Sequence, residues 1–182
     1  MIHAQRFRDV YAECYPRVLA YATSQVGRQL GEDITSETFT VAWRRVDDLP
    51  RPALPWLLGV ARNLVRELRR RDGRQYALAA EEAQRIASSG RGETADVATG
   101  VADREAALQA LASLSAADRE LLTLIAWHGL SPKEAARVLG CATATLTVRL
   151  HRARRRLERA MDAVPAAHHR PTHRTAAEGA LT

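Results

Sequence analysis

The sequence predicts an all-α protein: two small helical domains joined by a flexible linker. Three observations carry this. Strand-like alternation is nearly absent, while apolar residues recur at helical spacing through most of the chain. A polar stretch containing GRGET and ATG interrupts that periodicity near the middle. Charge changes sign with it: residues 1–73 carry 12 basic and 9 acidic side chains (+3), residues 74–103 carry 3 and 5 (−2), and residues 104–162 carry 10 and 6 (+4). A chain of 182 residues is long enough for one ordinary domain or two small ones.

The elements follow in order. Phe7, Val10, Tyr11, Cys14, Val18 and Tyr21 share one helical face, so a first helix is expected over 6–28. Ile34, Phe39, Ala42, Trp43 and Val46 mark a second over 32–46, with Trp43 placed in the core. DDLPRPALP then ends helical structure, because proline lacks the N–H a helix interior needs. A third helix, 55–71, turns Trp56, Leu57, Val60, Ala61, Leu64 and Leu68 inward and closes on RRR. Residues 74–103 read as an acidic linker, and 163–182 as a disordered tail whose three histidines are solvated.

The second domain, 104–162, has sharper punctuation. Ser115 and Asp118 have capping-box spacing ahead of ELLTLIAW, which Gly129 ends. Ser131 and Pro132 supply an N-cap and a proline at the first helical position, and Gly140 stops KEAARVL after about two turns. A short helix, a glycine turn and a second helix form the pattern of a helix-turn-helix. In the second helix Leu146, Leu150, Ala153 and Leu157 fall in one narrow sector at about 100° per residue and face the core. Ala144, Thr147, Val148, His151, Arg152 and Arg155 lie opposite, and Arg149 borders the apolar stripe. A merely solvated helix mixes acids among its bases, yet 135–157 contains none. The stretch therefore reads as a recognition helix for the major groove, with small residues near base edges and arginines on the backbone.

Composition agrees with an acidic partner but does not require one. The formal net charge is +6, and Lys133 is the single lysine among 27 basic residues. A GC-rich genome would enrich arginine and alanine together, so the arginine excess alone decides little. Cys14 and Cys141 lie far apart without metal-ligand spacing, which predicts neither a disulfide scaffold nor a metal site. No glycine-rich phosphate loop, nucleophile elbow or ligand cluster occurs, so no catalytic residue, metal or cofactor is expected. His128 and His151 lack acid or cysteine partners at useful spacing; surface exposure, or a DNA contact for His151, accounts for them. The N-terminus lacks the apolar stretch of a signal peptide, and no run of 18 apolar residues occurs, so a soluble cytoplasmic protein is expected.

A helix-turn-helix says little about what a protein does with DNA. Three blocks in order say more: GEDITSETFTVAWRRVDDL, PWLLGVARNLVRELRRR, and LASLSAADRELLTLIAWHGLSPKEAARVLGCATATLTVRLHRARRRL. Together they resemble the extracytoplasmic-function (ECF) group of bacterial sigma factors of RNA polymerase, over residues 6–72 and 104–160. The resemblance implies sigma domain 2 in 1–73 and sigma domain 4 in 104–162. It implies that the helix over 32–46 binds the clamp of the largest core polymerase subunit, with Asp33, Ser36 and Glu37 as contacts. Ser36 stands where the family usually has glutamine, and Asp33 and Glu37 could equally stabilise their own helix through its dipole.

By the same resemblance Asn63 touches an unstacked base of the −10 element, while Arg62, Arg66, Arg69, Arg70 and Arg71 follow its phosphates. DDLPRPAL corresponds to a loop that pockets a flipped base, here richer in proline than is usual. Thr143, Thr145, Thr147, Val148, Arg149, His151, Arg152 and Arg155 read the −35 element. Ala142 replaces the usual serine cap, leaving Thr143 to cap one residue later, and Thr147 and Val148 replace lysine and serine. The implied partners are core RNA polymerase, through its clamp and flap, promoter DNA and an anti-sigma factor, with no insertion into a membrane. The implied mechanism is that of a dissociable specificity subunit that opens DNA by binding energy, its acidic linker threading near the active-site cleft. Two alternatives stay open on the residues alone: a sigma-like decoy for an anti-sigma factor, and a stand-alone helix-turn-helix regulator.

Overall fold

The computed structural model describes residues 2–71 and 107–163, and among these every regular element is helical. The predicted linker and tail lie outside the described residues. The first lobe contains α1 (Ile2–Val26), α2 (Arg28–Arg44), a 3-10 turn (Val46–Asp48) and α3 (Leu54–Arg71). In the second, helical residues 107–113 precede α4 (Ala116–Ala126), α5 (Pro132–Leu139) and α6 (Thr143–Ala163).

α1 and α2 are separated by one residue. Gly27 takes φ 83°, a conformation glycine adopts without steric cost, and its N–H closes onto Thr23 O at 2.9 Å. The chain re-enters a helix at Arg28, four residues earlier than the sequence pattern predicts, because Gly31 serves as a packing residue inside α2 and not as a loop residue. A Cβ on Gly31 would lie 2.7 Å from Thr23 N and Cα, so only glycine lets α2 approach α1 this closely. Thr35 and Thr38, which apolar periodicity passes over, are fully buried; their hydroxyls donate to Gly31 O and Ile34 O at 2.7 Å.

Of the predicted α1 face, Cys14, Val18 and Tyr21 are buried, whereas Phe7 and Val10 are half-buried and Tyr11 is exposed. Trp43 is a correction: it is 51% exposed, its ring packing edge-on against Phe7 at 5.0 Å. Trp56 is half-buried. The buried stripe of α3 is Leu54, Leu57, Leu58, Ala61 and Val65, rotated from the predicted one; Trp56, Val60, Leu64 and Leu68 are only half-buried. The reason is that α3 is covered on more than one side, by α1 and α2 and by α5 of the second lobe. A single-face pattern cannot describe such a helix.

The second lobe follows its punctuation closely. Ser131 and Glu134 form a complete capping box, and the Ser131 interaction holds the Glu134 carboxyl below its ordinary pKa. Gly140 closes α5 in the left-handed conformation, φ 67° and ψ 41°. At Ser115 half of the expected box forms: its hydroxyl accepts from Asp118 N at 3.2 Å, while the Asp118 carboxylate pairs with Arg156 of α6 at 2.7 Å. α6 begins at Thr143, with Leu146 N bonded to Ala142 O at 3.0 Å, so Ala142 occupies the cap position. Thr143 therefore does not cap this helix; its carbonyl instead accepts from Thr147 Oγ1 at 3.0 Å. Leu146, Leu150 and Ala153 are buried and Leu157 half-buried, as the sequence predicts.

The buried apolar residues of both lobes, Ala110 excepted, belong to one cluster. Replacing Gly31 with alanine pushes a methyl group into the α1 backbone and should cost roughly 1–3 kcal/mol, the usual range for overpacking. Urea denaturation should show a lower midpoint for Gly31→Ala; an unchanged midpoint would contradict the close approach of α1 and α2.

Candidate nucleic-acid interface

Residues assigned to DNA and polymerase occupy three faces. On α2, Asp33, Ser36 and Glu37 are exposed within one turn, and Ser36 Oγ donates to Glu32 O at 2.9 Å. The first turn of α2 contains no acid, because the helix starts at Arg28. Asp33 and Glu37 thus lie beyond the turn where a helix dipole acts strongly, which removes the dipole explanation for them.

The second face is built by α3 and the loop before it. Val46 and Leu49 anchor that loop in the core, while Arg6 of α1 donates to Asp47 O at 3.0 Å and Leu49 O at 2.5 Å. Nothing in the sequence pattern announces Arg6 in this role, since the contact spans more than 40 positions. Asn63 is exposed and lines a cavity of about 300 Å³ with Pro50, Arg51, Pro52, Pro55, Trp56, Gly59 and Val60. Its remaining wall comes from the second lobe, Glu134 and Arg137 of α5. Further along α3, Arg66, Arg69, Arg70 and Arg71 are placed as follows: Arg66, Arg70 and Arg71 sit towards solvent, Arg69 reaches back to Gln25 O at 2.9 Å, and Arg71 pairs with Glu67 one turn earlier.

Arg62 departs from this pattern. Its Nε lies 2.9 Å from Glu120 Oε1 of α4, with the two side chains 18% and 14% exposed. Tyr21 Oη donates to the same oxygen at 2.7 Å. Burial and this carboxylate raise the Tyr21 pKa well above its ordinary value, so the phenol stays protonated as a donor. Beside this group the Arg17 guanidinium donates to His128 O, and the Tyr21 and His128 rings meet edge-on at 6.0 Å. His128 is a second correction: it is buried, not a surface histidine, and its Nδ1 has no hydrogen-bond partner among the described residues.

The third face is α6. Thr143, Thr145, Thr147, Val148, His151, Arg152 and Arg155 are all exposed, and Arg149 is half-buried. Val148 is 51% exposed, an apolar side chain held in solvent among threonines and bases. Such a surface can present methyl groups and guanidinium forks to a groove together. Among the described residues no group of His, Cys, Asp and Glu could hold a metal ion. Cys14 is buried with its pKa raised to about 11, mainly by desolvation, which disfavours a reactive thiolate.

A two-lobed helical chain whose helix-turn-helix presents a second helix free of acids from Thr143 to Leu157 has the form of a DNA-binding protein. Comparison with known proteins makes the class specific. The family described as Sigma-70 region 2 matches residues 10–75, and Sigma-70, region 4 matches 104–157. The ECF RNA polymerase sigma factor SigL of Mycobacterium tuberculosis is 32% identical over 160 residues, covering 85% of this chain and 88% of SigL. The probable RNA polymerase sigma factor RfaY of Xanthomonas campestris pv. campestris is 34% identical over 157 residues; the match covers 82% of this chain but 39% of RfaY. Among solved structures, the sigma factor RpoE in complex with the anti-sigma factor NepR from Bartonella quintana matches with a TM-score of 0.62 at 27% identity. That match covers 87% of this chain and 98% of RpoE. The chain belongs to the ECF family of RNA polymerase sigma factors. Its class is that of a transcription initiation factor and not of an enzyme.

Burial, and secondarily Arg17, lowers the His128 pKa to about 4. The unfolded chain takes up this proton near pH 6.5, before the folded chain does. The folded state should therefore lose stability as pH falls from about 6.5 towards 4. Thermal melts at pH 7 and pH 4.5 should show a larger drop for the native chain than for His128→Gln. Equal drops would contradict the buried, neutral histidine.

Proposed function

We propose that this chain is the promoter-specificity subunit of an RNA polymerase holoenzyme. It binds core polymerase through Asp33, Ser36 and Glu37 on the exposed face of α2, and it reads two promoter elements with two separate faces. The observation that carries the reading is α6. Its assigned residues point outward from a helix fixed to the core by Leu146, Leu150 and Ala153, within the segment that matches sigma region 4. A rigid helix displaying threonine, valine and arginine suits direct reading of a duplex −35 element.

The −10 element calls for different chemistry. A base held outside the stack costs a few kcal/mol, and a shaped pocket with a hydrogen-bonding side chain offsets part of that cost. Asn63 beside the cavity formed with Pro50, Arg51, Pro52 and Trp56 supplies both, and the arginines of α3 continue along the phosphates. No nucleotide hydrolysis is required, since capture of the opened strand shifts the melting equilibrium by binding alone. The partners are core polymerase, promoter DNA and an anti-sigma protein, the last supported by the likeness to a sigma factor solved with one. The site of action is the cytoplasm; no described helix is long and apolar enough to cross a membrane.

Run-off transcription with core polymerase, on promoters selected from a random library, tests the reading. Defined start sites are expected with the native chain and should be lost with Asp33→Ala or Asn63→Ala. Failure to bind core polymerase would overturn it. Arg152→Ala should weaken duplex binding across sequences and reduce the log–log salt slope by about 0.9 for one lost phosphate contact. An unchanged slope would remove Arg152 from the DNA face.

A further inference from the structure

The loop between α2 and α3 walls two cavities at once. Pro50, Arg51 and Pro52 line the cavity of about 300 Å³ that contains Asn63, and they also line a second of about 330 Å³ beside Asp9, Val10 and Glu13 of α1. Any shift of these three residues therefore reshapes the surroundings of Asn63. Leu49 and Leu54 are buried on either side of them, while Pro50, Arg51 and Pro52 themselves are exposed. Burial fixes the ends of this stretch but not its middle.

The backbone leading into it is held from α1. The Arg6 guanidinium donates through Nη1 to Asp47 O at 3.0 Å and through Nη2 to Leu49 O at 2.5 Å. His3 pairs with the Asp47 carboxylate, but both side chains are exposed and the pair contributes little. A planar guanidinium that spans two carbonyls fixes their relative orientation, so Arg6 sets the direction in which the chain leaves Leu49 for Pro50. We propose, resting on the −10 reading given above, that Arg6 is a positioning residue for −10 base selection. It touches no DNA; its two hydrogen bonds hold Pro50, Arg51 and Pro52 in the arrangement that shapes the base site beside Asn63. Without them the loop samples other arrangements, and the site is formed only part of the time. A base that uses the site then binds more weakly in proportion, whereas a base that does not use it loses nothing. Discrimination at that one promoter position falls, while the general hold on the strand does not.

The full chain and its Arg6→Ala and Arg6→Lys variants test this in two measurements. Hydrogen exchange read by mass spectrometry follows the loop amides within residues 47–54, which should exchange faster in Arg6→Ala than in the native chain. Run-off transcription with core polymerase compares the selected promoter with versions changed at one −10 position at a time. If the variant loop is in place a third to a tenth of the time, discrimination at one −10 position should fall about three- to tenfold in Arg6→Ala. Arg6→Lys keeps the charge but not the fork, and should fall between the two on both readouts. A loss that is uniform across all promoters would reduce Arg6 to a charge near the strand and overturn the proposal. Faster exchange with undiminished discrimination would overturn it as well, and so would unchanged exchange. Faster exchange in Arg6→Ala, with no run-off transcripts even from the native chain, would support the hold on the loop and count against the promoter reading alone.

Discussion

The carboxylate of Glu120 is the point on which the arrangement of this molecule turns. It is contributed by the second lobe, is mostly shielded from water, and accepts from Arg62 and Tyr21 of the first. Hydrogen bonds to a charged acceptor are among the stronger ones, and removing one partner from a shielded ion pair strands the other. A contact of this kind holds firmly while complete and fails as a unit once broken. It is also exchangeable: a guanidinium that suits a carboxylate suits a phosphate equally well.

Around that contact the backbone does the positioning. Gly31 allows α1 and α2 to meet closely, and Tyr21 and Arg17 of α1 reach Glu120 and the His128 carbonyl of the second lobe. The Ser131–Glu134 box and the left-handed Gly140 fix both ends of α5, and the Gly140 turn directs α6 away from α5. Asp118 ties α4 to α6 through Arg156 instead of completing its own cap. The same α4 therefore bears on α3 through Glu120 and on α6 through Asp118.

Helix punctuation is legible in the sequence because it is local. The ends of α5, the inward sector of α6 and the proline break before α3 each depend on residues within a few positions. The α6 surface is legible for a related reason, since a helix with one buried stripe turns its other residues to solvent. Legibility ends where neighbours distant in sequence decide. Trp43 looks like core and sits half in solvent, because Phe7 and Phe39 already fill the space between α1 and α2. His128 looks like surface and is buried, because α1 packs over it. Arg62 is recognisable as one of the arginines of α3, but its partner lies 58 positions away and leaves no mark in any periodicity. The start of α2 is misplaced by the pattern because glycine signals a break locally, while here its missing side chain serves packing.

The coupling between Arg62 and Glu120 bears most directly on this arrangement. Urea denaturation of the native chain, Arg62→Ala, Glu120→Ala and the double variant measures it as a double-mutant cycle. An interaction free energy of about 1 kcal/mol or more is expected for a shielded pair in contact. Single effects that simply add would contradict the contact between the lobes.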